Sequence, residues 1–250
     1  INQGTVLYDG AKMSKTKGNV VSPHEYGAET TRLFVLSAAH PERDFEWTAR
    51  DVSSAYDLQQ QLYDMTQTFV EREQALRDER HEHDAYIERE IDRTIVAVTD
   101  HYERFRFHRA VSEIRGLVGL LGQYREYGTT SEAVYRRGLR ALTRLVAPMT
   151  PYLAEELWNL LRGDGIVAEA EWPAPEHDVD PETERRVVER LRDDVRDIFE
   201  VADITDADRI EIAVAPEWKY RAYEIARESD VRDALVGTIM EDERMREVGG

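Results

Sequence analysis

The sequence predicts a mainly α protein: an antiparallel helix bundle, preceded by the end of an α/β segment and followed by a small α/β unit. Three observations carry that expectation. Phe107, Ala110, Val111, Ile114, Leu117, Val118, Leu121 and Tyr124 repeat at the i, i+3, i+4, i+7 spacing that builds one buried helical face. Helical stretches follow one another with short connections, which makes neighbours antiparallel. Alternation of apolar and polar residues, the mark of a half-buried strand, is confined to the two ends of the chain.

Taken in order, "TVLY" at Thr5 to Tyr8 reads as a strand and Asp9-Gly10 as a turn. A chain that opens within a sheet is expected to be a fragment of a longer one. Ser22 to Ala39 reads as helical, with Leu33, Phe34 and Leu36 apolar. Bundle helices are expected at about Asp51 to Arg77, Asp84 to Phe105, Phe107 to Tyr127, Ser131 to Val146 and Pro151 to Arg162. Pro151 suits the first position of its helix, where a missing N–H is no loss. Gly163 to Val179 carries Gly, Pro and a lone Trp172 and reads as a linker. Asp180-Pro181 then opens a helix with apolar Val187, Val188, Leu191, Val195 and Ile198, and in "RIEIAVA" Ile210, Ile212 and Val214 alternate as in a strand, ended by Pro216. The expected division is 1–50, a connection into the bundle; 51–165, the bundle; and 180–250, a small α/β domain that looks truncated.

The 250 residues are 41% hydrophobic, enough for a core, and carry 51 Asp and Glu against 33 Lys and Arg, a net charge of −18. A surface so acidic argues against nucleic acid, whose affinity comes largely from Lys and Arg. Only four of the 33 basic residues are lysine. Acid excess with arginine in place of lysine points to adaptation to molar intracellular salt, where the Debye length falls to ~3 Å and local positive patches say more about partners than net charge. Cysteine is absent, which excludes disulfides and thiolate metal sites, and the seven histidines show no ligand spacing. His81 and His83 read as part of a polar helix connection, so no metal site is expected. No stretch approaches ~18 apolar residues and no signal peptide is visible, so a cytoplasmic protein without membrane contact is expected.

Three of the four lysines, Lys12, Lys15 and Lys17, lie within "GAKMSKTKGN". Lysine is a compact charge on a flexible stem, whereas arginine presents a planar fork, so a loop that follows moving phosphates favours lysine. Short basic runs are commonly just solvated loops, and the Walker pattern G-x-x-x-x-G-K-[ST] is absent. The second basic feature is an acid-free window from Ala133 to Ala154 that holds Arg136, Arg137, Arg140 and Arg144. At 100° per residue these span about 100° of a helix, with Tyr135, Leu139, Leu142, Leu145 and Val146 on the other side. Such a face is either solvated or an RNA-backbone contact; Arg104, Arg106 and Arg109 are a weaker candidate. Trp158 and Trp172 are expected to pack rather than stack on bases.

The order of residues adds to this. "KMSKTKGNVVSP" resembles the KMSKS signature of class I aminoacyl-tRNA synthetases, with Thr16 in place of the last serine, and "YGAETTRLFVLSAA" is similar to the helix that follows it. "RLVAPMTPYLAEELWNLL" resembles the last helices of the anticodon-binding bundle shared by the leucyl, isoleucyl, valyl and methionyl enzymes. "DFEWTARDV" and "IEIAVAPEWK" resemble the leucyl enzyme of archaeal and eukaryotic cytosolic type. The resemblance covers nearly the whole chain; the short interval between Pro23 and Tyr26 departs from it.

The resemblance implies that residues 1–50 end a nucleotide-binding α/β domain and that the bundle is of the anticodon-binding type. It implies ATP-dependent activation of leucine and transfer to tRNA(Leu), with ATP and Mg²⁺ as cofactors and a monomer as the acting form. Lys12 and Lys15 would be catalytic, and Lys12, Met13, Ser14, Lys15 and Thr16 would bind ATP. Arg136, Arg137, Arg140 and Arg144 would meet tRNA. The leucine pocket, the HIGH motif and the editing domain would lie upstream of Ile1, so this segment alone would not catalyse. A valyl or isoleucyl enzyme, or a non-catalytic tRNA-binding module, remains open at this point.

Overall fold

A computed structural model describes residues 4–72, 75–126, 128–205, 210 and 215–228. Contacts divide the chain into two units, Ile1–Arg190 and Leu191–Gly250.

The first unit begins with a hairpin of β1 (Val6–Tyr8) and β2 (Ala11–Lys12), in which Leu7 faces Lys12 and Tyr8 faces Ala11. Its two turn residues, Asp9 and Gly10, both have positive φ, 53° and 70°, as a type I′ turn requires. β3 (Phe45–Glu46) pairs parallel to β1 and gives the sheet order β2-β1-β3. The helical stretch expected from Ser22 to Ala39 is two helices, α1 (Pro23–Tyr26) and α2 (Ala28–Ala38), because Gly27 between them sits at φ 84°, ψ 150°, outside the helical region. α2 buries Leu33 and Phe34, and the Phe34 ring meets Trp47 edge-on at 4.7 Å.

The bundle consists of α3 (Ala49–Val70), α4 (Glu82–Glu103), α5 (Phe107–Glu126), α6 (Glu132–Val146) and α7 (Pro151–Leu160). The molecule is mainly α, as the periodicity predicts. α5 buries Ala110, Val111, Ile114, Leu117, Val118, Leu121 and Tyr124, which are positions of the predicted face. Thr48 starts α3 by accepting from the Asp51 amide at 3.1 Å. α3 stops at Val70 rather than near Arg77, and Leu76–Arg77 (β4) pairs parallel with Thr130–Ser131 (β5).

That early stop frees Arg77 for a buried network. The Asp84 carboxylate, 0% exposed, accepts from both terminal nitrogens of Arg77 at 2.6 and 2.8 Å, from the His81 amide at 2.8 Å and from the Tyr124 hydroxyl at 2.5 Å. Tyr124 in turn accepts from the Ser131 amide at 3.0 Å. Burial works to raise the Asp84 carboxyl, but the hydrogen bonds from Arg77, the His81 amide and Tyr124 outweigh it and hold the group well below the usual carboxylate range. Burial and the bond to Asp84 push Tyr124 up to about 12.

The bundle closes behind α7. The Trp158 indole is buried and donates to the Asp164 carbonyl at 3.1 Å. A Cβ on Gly163 would lie 2.0 Å from that ring, so only glycine fits.

α8 (Pro181–Val201) runs across the boundary between the units. Val187, Leu191 and Ile198, three of its predicted apolar residues, are exposed, and Val195 is half-buried. In the second unit α9 (Glu217–Glu228) follows. The predicted strand around Ile212 and Val214 lies outside the described residues.

Two outcomes follow. A depressed folded pKa makes the Asp84 contribution complete above the unfolded value of ~3.9 and lost as the pH falls below it. Asp84→Asn should therefore lower Tm at neutral pH and make the acid limb of a Tm-against-pH profile shallower below about pH 4; an unchanged limb would remove Asp84 as a cause. Gly163→Ala should destabilise by about 1–3 kcal/mol, through displacement of the Trp158 ring, in chemical unfolding.

Candidate functional site

The lysine-bearing segment lies between β2 and α1. Met13 continues the hairpin, its amide donating to the Val6 carbonyl at 3.0 Å, and its side chain packs against the core. Ser14 then caps a 3₁₀ turn, Lys15–Lys17, its hydroxyl accepting from the Lys17 amide at 3.3 Å, and Gly18 closes the turn at φ 70°. Positive φ at that closing position suits glycine.

Sequence reasoning missed the residue that ties the loop together. Asn19 accepts from the Ser14 amide at 2.9 Å and donates to the carbonyls of Ala11 and Lys12 at 3.4 and 3.2 Å. One side chain thus clamps both ends of the segment. Its signals were its place in the quoted KMSKTKGN stretch and an Asn after a Gly, which also marks ordinary turns, and neither shows the clamp. Lys12, Lys15, Thr16 and Lys17 are exposed, and among the described residues no carboxylate pairs with any of the three ammonium groups. In a chain with 51 acids this leaves a cluster of positive charge available to an outside anion.

α2 ties this segment to the bundle. Glu29 accepts from the amides of Tyr152 and Leu153 at 2.6 and 2.9 Å, so a carboxylate satisfies the open N-terminus of α7. Arg32 donates to the Pro148 carbonyl at 3.0 Å.

The four arginines of α6 occupy one face, and all are half-buried. Their partners differ. Arg136 pairs with Glu132 at 2.7 Å and lies 4.8 Å from the Phe69 ring centroid. Arg137 is an internal group: it pairs with the fully buried Asp92, donates to Glu176 at 2.8 Å and reaches the Glu88 carbonyl. Asp92 also accepts from the amides of Glu176 and His177 at 3.0 and 3.1 Å and contacts His177 Nδ1 at 2.6 Å. Burial would raise the Asp92 carboxyl, but Arg137, the Glu176 amide and His177 keep it below its ordinary value. Residues read as a linker are thereby pinned to α4 and α6. Arg140 and Arg144 stack on Trp158, with centroid distances of 4.7 and 5.9 Å, and Arg144 also donates to the carbonyls of Arg140 and Glu171. Neither has a carboxylate within ion-pair distance among the described residues. Arg106, in the weaker candidate group, is paired to Asp100, as is Arg104.

Among the described residues no group of three His, Asp or Glu side chains could hold a metal ion. No helix among them is long and apolar enough to cross a membrane.

An antiparallel α bundle joined through α2 to a lysine-bearing loop defines the class of this chain as a helical module behind a short cationic segment. A family model described as the anticodon-binding domain of tRNA ligase matches residues 84–213, and the chain belongs to that family. It is 39% identical to the leucine–tRNA ligase of Halobacterium salinarum over 253 residues, which cover 99% of this chain and 28% of that protein. The leucine–tRNA ligase of Pyrococcus abyssi is 33% identical, over 96% of this chain and 26% of that protein. The chain thus spans about a quarter of the length of these relatives. The crystal structure of the ternary complex of the Agrobacterium radiobacter K84 agnB2 LeuRS, tRNA and LeuAMS matches with a TM-score of 0.63 and 29% identity, over 70% of this chain and 24% of that one.

Removing the Asn19 clamp should loosen the loop alone. In Asn19→Ala the Ser14 amide should exchange with solvent about 5- to 150-fold faster, the equivalent of about 1–3 kcal/mol for a group left unpaired, with Tm nearly unchanged. Exchange at the wild-type rate would show that Asn19 is not what holds the loop.

Proposed function

We propose that this chain is the ATP-phosphate loop and tRNA-binding bundle of a leucine–tRNA ligase that works in the cytoplasm at high salt. The observation that carries this reading is the 39% identity to a leucine–tRNA ligase over 99% of the chain. The three lysines of the loop, without a carboxylate partner among the described residues, support it. The relatives are leucine enzymes, which favours leucine over valine or isoleucine as substrate.

In amino-acid activation the leucine carboxylate attacks the α-phosphate of ATP, the bond to the β-phosphate breaks, and negative charge grows on the departing pyrophosphate. A cation already aimed there stabilises the transition state more than the ground state. Lys12 and Lys15 take that role, while Met13 anchors the loop against the core and the Ser14 and Thr16 hydroxyls donate to the phosphates. Lys17 stands at the far end of the turn and contributes general attraction. The second step passes the leucyl group to the terminal adenosine of tRNA(Leu). Mg²⁺ arrives with the nucleotide, since residues 12–19 contain no carboxylate.

The arginines of α6 divide by their partners. Arg140 and Arg144, without carboxylate partners among the described residues, are the RNA-facing pair; Arg136 joins them at the edge, and Arg137 holds the face in shape from below. Phosphate contacts of this kind position RNA without reading its sequence. The domain division 1–50, 51–165 and 180–250 and the monomeric state belong to the same proposal.

Amino-acid-dependent ATP–pyrophosphate exchange by the full-length protein in molar KCl tests the reading. Exchange is expected with leucine and not with valine, isoleucine or methionine. Lys15→Ala should slow it by about tenfold to a hundredfold, since a hydrogen bond to a charged group contributes ~1.5–3 kcal/mol and each 1.36 kcal/mol is tenfold in rate. Exchange with another amino acid would overturn the substrate, and no exchange at all would leave a non-catalytic tRNA-binding module.

A further inference from the structure

Next to the unpaired arginines lies a pocket of about 260 Å³ between α6, the start of α7 and residues 167–172. Arg144, Ala147, Pro148, Pro151, Val167 and Trp172 are among its walls. It sits at the end of the bundle that α2 touches, since Arg32 bonds the Pro148 carbonyl and Glu29 the amides that begin α7. The volume is below the ~300 Å³ at which pockets for small-molecule ligands begin, and it suits one planar ring.

The Trp172 wall is set in advance. Its indole N–H donates to Thr99 Oγ1 at 2.8 Å, and the Tyr102 ring meets it at 88° with centroids 5.6 Å apart. Even so the indole residue is 40% exposed, a large apolar surface held rigid and left open. Tyr102 is itself tied down by its hydroxyl bond to the Leu145 carbonyl at 2.8 Å.

Charge beside the mouth identifies the kind of occupant. Arg140 and Arg144 are stacked on one ring, with no carboxylate partner among the described residues. Burial, and next Arg140 and Arg137, make the Arg144 cation less favourable than usual, and the opposing attraction of Glu171 does not outweigh them. Glu155 lines the pocket but is engaged, its oxygens accepting from the amides of Val167 and Ala168 at 2.9 and 3.4 Å. Glu171 also lines it and repels an anion inside, which leaves the arginine side for phosphate and the apolar interior for an uncharged ring.

We propose that this pocket takes the base of one unpaired RNA nucleotide against Trp172, with the adjoining phosphate on Arg140 and Arg144. The inference rests on the reading that the chain binds tRNA, and adds to it a base-accepting subsite. Stacking of this kind tolerates any base, because every base has a π-face.

The test is binding of the tRNA(Leu) transcript to the full-length protein across a KCl titration. Trp172→Ala should weaken binding about 5- to 150-fold without changing the salt slope, and Trp172→Phe should retain most of the affinity. Ala147→Leu, which fills the pocket and leaves its wall in place, should weaken binding comparably with Tm unchanged. Arg140→Gln and Arg144→Gln should each reduce the salt slope by about 0.7–0.9. Affinity within twofold of wild type in both Trp172→Ala and Ala147→Leu, with the arginine effects intact, would overturn the base pocket and leave the tRNA reading standing. If the arginine variants also bind as wild type, the α6 face is not an RNA contact and both fall.

Discussion

The Asp84 carboxylate, in the first turn of α4, ties its own N-cap at the His81 amide and the nearby β4 strand at Arg77 to α5, 40 residues along the chain, through Tyr124 and, one bond further, to the start of α6 through Ser131. A buried charge is costly unless each of its oxygens is hydrogen-bonded, and here several donors converge on it. α3 ends at Val70, the chain turns at Arg72 with φ 58°, and Arg77 is thereby left in β4 to reach Asp84. The network fixes the height at which α5 and α6 begin and end against one another. The arginine face of α6, and with it the pocket beside Trp172, takes its position from that junction.

The chain uses its scarce cations in two different ways. Arg77, Arg137 and Arg93 are drawn inward, each against carboxylates on other turns or helices. The planar guanidinium suits this because it satisfies two oxygens at once and tolerates partial burial. The three lysines stay outside, on a braced turn. Arg140 and Arg144 form an intermediate case, half-buried yet stacked on Trp158 in place of an ion pair. Net charge therefore hides a division between cations held by internal carboxylates and cations that, among the described residues, have none.

Periodicity made the bundle legible. The apolar set of α5 and the proline at the head of α7 both locate their elements to within a residue or two, because helix register and capping are decided locally. The loop lysines were legible for a different reason, their rarity elsewhere. What escaped the sequence were contacts between distant positions: Glu29 at the N-terminus of α7, Asp92 under the 176–177 segment, and Asn19 folding back over its own loop. Nothing in the local pattern distinguishes Glu29 or Asp92 from a solvated acid. The arginine face shows the same limit, since spacing places Arg137 beside Arg140 but cannot show that one reaches a buried carboxylate and the other does not.

The bonds from Glu29 to Tyr152 and from Arg32 to Pro148 span 123 and 116 residues of chain. Synthesis proceeds from the N-terminus, so the apolar side of α2 emerges from the ribosome long before the helix it caps exists. At the ~5–20 residues per second typical of translation, that interval lasts on the order of ten seconds. During it Glu29 has no amides to accept from, and the loop segment lacks its anchor to the bundle. Docking of α2 on the turn before α7 is thus a late event in biogenesis, whereas its packing on α3, through Thr30 and Gln59, is open to it as soon as that helix is made.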